Sequence, residues 1–144
     1  YEIMKSVKYI LDEKWQILLR KAKADLNAAT ILYRENGISK EVVMFHLEQA
    51  VESIHKIIEN ITYEEFKGND LLVSAVILKF EIVGEIAKNI SEELRNKDNG
   101  INWKDLIEYR NYLIDNYFEI DLNTLWEMIN NDLVKLKEKL LMIK

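Results

Sequence analysis

Apolar residues recur at helical spacing along most of the chain. From about Ile3 to Arg34, Ile17, Leu18, Ala22, Leu26, Ala29 and Leu32 form one stripe, interrupted by Asp25. Asn36-Gly37 ends that segment, since glycine commonly follows a helix end. Ser39 is placed to cap a second helix running to about Asn60, with Val43, Leu47, Ala50, Ile54 and Ile57 on its apolar face. Thr62 is placed to cap a short turn, TYEEF. A third helix is expected from about Asp70 to Arg95, carrying Leu72, Val76, Phe80, Val83, Ala87 and Ile90. Gly84 lies inside it. An interior glycine costs roughly 1 kcal/mol against alanine, so a close helix approach is expected there. The polar run NKDNG, Asn96 to Gly100, reads as a loop. A fourth helix follows from about Trp103 to Tyr117, a connection from Phe118 to Asp121, and a last helix from Leu122 to about Leu141. No strand alternation and no internal repeat interrupts this pattern.

The pattern predicts an all-α fold, an up-and-down bundle of about five helices with short antiparallel connections. Length and composition agree. The 144 residues suit a single domain, 1–144, and 49% hydrophobic with 31% charged residues marks a folded chain rather than a disordered one. Proline is absent and glycine occurs four times, so little punctuates the helices. The absence of cysteine removes disulfides, thiolate metal sites and cysteine nucleophiles, and fits a cytoplasmic protein. No apolar run approaches the roughly 18 residues of a membrane span, and no signal peptide is visible, so no membrane association is expected. The net charge of −5 argues against broad nucleic-acid binding but leaves room for a local cationic cleft.

Few residues carry chemistry on spacing alone. Glu52-Ser53-Ile54-His55 is an E-x-x-H, but a di-metal bundle needs two such motifs and two further glutamates. The other histidine, His46, has Val43 three residues before it, so no metal and no other cofactor is expected. His46 itself, in VVMFHLEQA, reads as a histidine at the edge of a core or interface. There is no glycine-rich phosphate loop and no G-x-S-x-G. Trp15, Trp103 and Trp126 read as packing anchors.

The stretch EYRNYLIDNY, Glu108 to Tyr117, differs in density. It sets Arg110, Asn111, Asp115 and three tyrosines within ten residues. On a continuous helix Arg110 and Tyr117 fall within roughly 20° of each other, and Asn111 and Asp115 are neighbours one turn apart. Leu113 and Ile114 point elsewhere and are free to pack. The plain alternative is a solvated face on which Arg110 pairs with Glu108 or Asp115.

The wider segment resembles the HepT-like members of the HEPN superfamily, toxin halves of toxin–antitoxin pairs whose antitoxin is a minimal nucleotidyltransferase. The matching pieces are AVILKFEIVGEIAKNISEEL and INWKDLIEYRNYLIDNYFEIDLNTLWEMINNDLVKLK. They hold the family's glycine-glutamate at Gly84-Glu85, its tryptophan at Trp103, and its R-N-x-L-x-H-x-Y at Arg110, Asn111, Leu113 and Tyr117. Ile120-Asp121 and Trp126 complete the set. KAKADLNAATILY and VVMFHLEQAVESIHKII look, more loosely, like the first helical hairpin of HEPN domains.

The resemblance implies metal-independent RNA cleavage at the cleft of a homodimer, where arginine and histidine of two copies meet. One position departs: Asp115 stands where the family has histidine. Cleavage needs a base for the 2′-hydroxyl, an acid for the leaving 5′-oxygen, and a cation for the phosphorane. Arg110 serves the last, with Asn111 beside it. An aspartate, ionised near neutrality, is a poor proton donor and sets negative charge beside a phosphate. The expectation is a HEPN fold with an impaired or absent nuclease, the aspartate being either native or an introduced change. The resemblance also implies that the antitoxin transfers AMP to Tyr117. The competing expectation is a helical dimerisation module that binds a nucleotidyltransferase and does no chemistry.

Overall fold

The computed structural model describes residues 40–97 and 100–142, together with Glu13, Gln16, Ile17, Arg20, Lys21, Ala24 and Asn27. Those seven are helical and exposed. Ile17 therefore sits on a solvent face with arginine, lysine and asparagine, not on the expected core stripe. The rest of that stripe, Trp15, Asn36-Gly37 and the Ser39 cap lie outside the described residues.

The described elements are α1 (Lys40–Ile58), α2 (Tyr63–Lys67), α3 (Asp70–Asn89), α4 (Glu92–Lys97), α5 (Trp103–Asp115), α6 (Leu122–Glu127), a π-helical turn (Met128–Asp132) and α7 (Leu133–Met142). No strand occurs among the described residues, and the chain is all-α as the pattern predicts.

α1 ends where Asn60 takes φ 59°, a left-handed conformation that asparagine tolerates better than most residues. α2 begins with a full capping box. The Thr62 hydroxyl accepts from the Glu65 amide, and the Glu65 carboxylate accepts from the Thr62 amide. Asn69 then caps α3 by accepting from the Leu72 amide at 3.1 Å.

α3 is the central helix, packed against α5 on one side and α1 on the other. Its predicted stripe is buried throughout: Leu72, Val76, Phe80, Val83, Ala87 and Ile90. The α1 stripe, Val43, Leu47, Ala50, Ile54 and Ile57, meets it. Trp103 is buried and Trp126 packs on Tyr63 and Phe66, as anchors should.

Two features depart from the helical reading. The third helix does not run unbroken to Arg95. It stops at Asn89, Ile90 turns extended, and α4 starts anew at Glu92. The Arg95 guanidinium reaches back to the carbonyls of Ala87 and Lys88 at 3.0 and 3.1 Å, replacing bonds the broken helix gives up. The last helix keeps its predicted span but widens into the π-helical turn at Met128–Asp132. No helix of the described residues is long and apolar enough to cross a membrane.

Candidate functional site

The α3–α5 crossing is built around Gly84. A Cβ placed on it would lie 2.3 Å from the Cβ of Arg110, 2.8 Å from its Cγ and 2.7 Å from its Cδ. Ordinary carbon contacts are about 3.5–4.0 Å. Glycine at 84 thus lets the Arg110 stem lie directly on the α3 backbone. The guanidinium then meets Glu85, with Nη2 3.2 Å from Oε2, both side chains mostly buried. The other Glu85 oxygen, Oε1, accepts from Asn89 Nδ2 at 3.1 Å, and the same amide group donates to the Glu85 carbonyl at 2.8 Å. Nη1 of Arg110 donates to Asn111 Oδ1 at 3.2 Å. One turn before Glu85, burial raises the Glu81 carboxyl above its usual range, although the nearby Arg110 charge opposes that.

Arg110 therefore pairs across the helix interface, and neither of its expected neighbours on α5 takes it. Glu108 faces Lys104 at 3.6 Å on the surface. Asp115 is exposed and makes no side-chain hydrogen bond or ion pair among the described residues. Helical spacing explains this. Five residues turn the helix by about 140°, so Arg110 and Asp115 point to different sides. Asn111 and Asp115, about 40° apart, do share an exposed face.

α5 ends at Asp115, where Asn116 caps it through its backbone N–H and its Nδ2, both donated to the Tyr112 carbonyl. Tyr117 thus leaves the helix, and its expected alignment with Arg110 does not hold. Tyr117 is 48% exposed, and its ring meets Phe118 edge-on at 5.3 Å; Phe118 is 95% exposed. Leu113 is buried, whereas Ile114 is 42% exposed instead of packed inside.

The remaining tyrosines of the stretch are structural. The Tyr109 hydroxyl donates to Asp132 Oδ2 at 3.0 Å, and burial with that bond pushes its pKa up to about 12. The π-helical turn carries Asp132 into this position. The Tyr112 hydroxyl accepts from the Asp121 amide and ties α5 to the start of α6. Beside Tyr109 lies a cleft of about 110 Å³, edged by Asp105, Asp132, Lys135 and Lys139. That is below the roughly 300 Å³ of small-molecule pockets.

The histidines do not join this site. His46 is exposed and meets the Phe45 ring edge-on. Both ring nitrogens of His55 are buried without a hydrogen-bond partner, and burial lowers its pKa. Glu52 of the same E-x-x-H pairs with Lys137 at 2.9 Å. Among the described residues, no three His, Cys, Asp or Glu side chains are grouped to hold a metal ion.

The family model described as ribonuclease HepT-like matches residues 47–143, which include every element of the α3–α5 crossing. The chain belongs to this family. Among its relatives is a Methanocaldococcus jannaschii protein named "gamma-glutamylcyclotransferase and putative RNase", 38% identical over 103 residues. That match covers 72% of this chain but 46% of the relative, so the chain spans about half of that longer protein. A second M. jannaschii protein, named "putative RNase", is 36% identical over 71% of this chain and 96% of its own length. The Thermococcus cleftensis protein named "probable ribonuclease HepT" is 32% identical over 65% of this chain and 84% of its own. No solved structure matches the HepT-like chain.

Proposed function

We propose that this HepT-like protein is the toxin member of a toxin–antitoxin pair, an RNA endonuclease fold whose cutting activity is impaired by Asp115. The observation that carries the reading is the α3–α5 crossing. Gly84 lets α3 and α5 approach closely enough for Glu85 to reach Arg110, whose guanidinium is held rather than free on the surface. An arginine held in place suits the stabilisation of charge that develops on a phosphorus centre.

In the reaction, the 2′-oxygen of a ribose attacks the adjacent phosphorus. Its proton passes to a base, the phosphorus–5′-oxygen bond breaks, and an acid protonates the leaving oxygen. Arg110 faces the phosphorane oxygens and Asn111 orients it. A histidine at 115 could take both proton roles because its pKa lies near 7. The ionised carboxylate of an aspartate donates no proton to the leaving group. Arg110 and position 115 point to different sides of α5, so one copy does not bring them together. A second copy, related by two-fold symmetry, supplies the missing side. The exposed Ile114, Tyr117 and Phe118 give that copy an apolar surface to cover.

The antitoxin of this reading is a minimal nucleotidyltransferase that silences the site at Tyr117. The tyrosine oxygen attacks the α-phosphorus of ATP and pyrophosphate leaves. The attached AMP adds negative charge and bulk just past the end of α5, against RNA entering the cleft between the two copies. The 48% exposure of Tyr117 leaves its ring open to such an enzyme. The test is a mass spectrum of the chain after incubation with that partner and ATP, with Tyr117→Phe as control. Added AMP on Tyr117 supports the pair, and no addition removes this part of the reading.

Asp115 and the Glu85 pairing also favour a second reading. With its cation neutralised and its proton donor absent, the chain could serve as a dimeric module that binds the nucleotidyltransferase without chemistry. A complex that forms equally well with Arg110→Ala, and an Asp115→His variant that cuts no RNA, would favour it.

A further inference from the structure

We infer that Glu85 is a positioning residue, which fixes the Arg110 guanidinium for the phosphate and weakens RNA binding in doing so. The inference rests on the ribonuclease reading for its purpose, but its geometry stands independently. An arginine on a helix surface has a long flexible stem and samples many orientations. Arg110 is denied that freedom at three points. Gly84 brings its Cβ, Cγ and Cδ against the α3 backbone. Glu85 Oε2 holds Nη2 from α3, and Asn111 Oδ1 takes Nη1 from α5. Glu85 is itself braced, because Asn89 Nδ2 donates to its other oxygen. The chain of contacts runs Asn89, Glu85, Arg110, Asn111.

Two described acceptors use one N–H on each terminal nitrogen. A guanidinium carries five N–H donors, so further donors remain to meet a phosphate. The side chain keeps 21% of its surface exposed, enough for an anion to reach it. The same arrangement opposes anion binding. Glu85 cancels the Arg110 charge at contact distance, and Glu81 stands one turn away on the same helix. Orientation and affinity are therefore set against each other, which separates this role from a merely structural one. Loss of a structural ion pair would weaken folding and binding together. Loss of a positioning carboxylate should loosen the guanidinium, strengthen its pull on phosphate and slow the chemistry.

The first readout needs no catalysis. In the full chain, the Arg110 Nε–Hε signal is followed by nuclear magnetic resonance, with and without Glu85→Gln. We expect a dispersed, slowly exchanging signal that becomes averaged in the variant. Asn89→Ala, an exposed change that unbraces Glu85 without touching the core, should move it the same way by less. An Arg110 signal unchanged by both substitutions overturns the proposal, whatever RNA does. The second readout uses the Asp115→His background and a single-stranded oligoribonucleotide. Glu85→Gln should lower kcat about ten-fold while KM stays the same or falls. An unchanged kcat, or a raised KM, overturns the positioning role in catalysis. A loosened Arg110 in a protein that cuts no RNA in any form supports the clamp and retires the ribonuclease reading instead.

Discussion

Replacing Gly84 by alanine tests whether helix approach at the crossing is as close as the structure makes it. Two effects oppose each other. Alanine gains roughly 1 kcal/mol of helix propensity over glycine in a helix interior. Against this, the new Cβ would sit 2.3 Å from the Arg110 Cβ. The shortfall from ordinary contact is about 1.2–1.7 Å. A Cβ is fixed to its backbone, so no change of rotamer relieves the clash and α3 and α5 must part. Overpacking of this kind costs about 1–3 kcal/mol, and the size of the shortfall places it at the upper end. The expected net is a destabilisation of about 1–2 kcal/mol. Urea unfolding should show a lower midpoint with an unchanged slope. Gly100→Ala is the control, since nothing lies within 4 Å of a Cβ there. Adding Arg110→Ala should rescue Gly84→Ala only in part, because alanine removes the Cγ and Cδ contacts but keeps the closest one, the Cβ. A Gly84→Ala protein as stable as the parent, or one fully rescued by Arg110→Ala, would refute the reasoning.

Three further outcomes follow from the same geometry. Asp115 ends α5 with no basic residue in the last turn, where a negative charge meets the negative end of the helix dipole. Asp115→Asn should therefore stabilise the protein by roughly 0.3–1 kcal/mol in low salt, and the gain should shrink as salt is added; a loss in thermal melting would contradict it. Glu81 has a raised carboxyl pKa, so its contribution is fully present below the ordinary carboxyl value of 4.5 and is lost as pH rises through the folded value. Glu81→Gln should accordingly raise stability near neutrality and bring no gain in acid, checked by denaturation at several pH values. Tyr109, raised to about 12 from 10, contributes stability below pH 10 that fades as pH rises toward 12. Tyr109→Phe should flatten that alkaline decline and destabilise at neutral pH by about 1 kcal/mol; an unaltered alkaline profile would argue against the Asp132 bond.

Much of this architecture is legible in the residues. The buried faces of α1 and α3 follow directly from apolar spacing, because each of these stripes has a partner helix to cover it. Gly84 announces a close approach, since nothing else repays its cost in a helix interior. What escapes is long-range. The Glu85–Arg110 and Tyr109–Asp132 pairs join residues more than twenty positions apart, while helical spacing resolves only neighbours three or four apart. The break after Asn89 has no glycine or proline to mark it, and Arg95 compensates it from the next helix. Ile17 and Ile114 fit an apolar period yet face solvent, because periodicity does not say which side of a helix has a partner. Within the candidate site, Arg110, Asn111, Asp115 and Tyr117 are visible as a dense polar run. The end of α5 at Asp115, which takes Tyr117 off the helix, depends on the Asn116 cap.

The central claim is that Asp115 is the altered part of a ribonuclease site that still holds its arginine. The direct measurement is metal-free cleavage of single-stranded RNA by this chain and by Asp115→His, over roughly pH 5 to 9, where a histidine titrates. Cleavage by the histidine form alone, with a bell-shaped pH profile and abolished by Arg110→Ala, is the predicted result. Equal cleavage by both forms, or none by either, would contradict the claim.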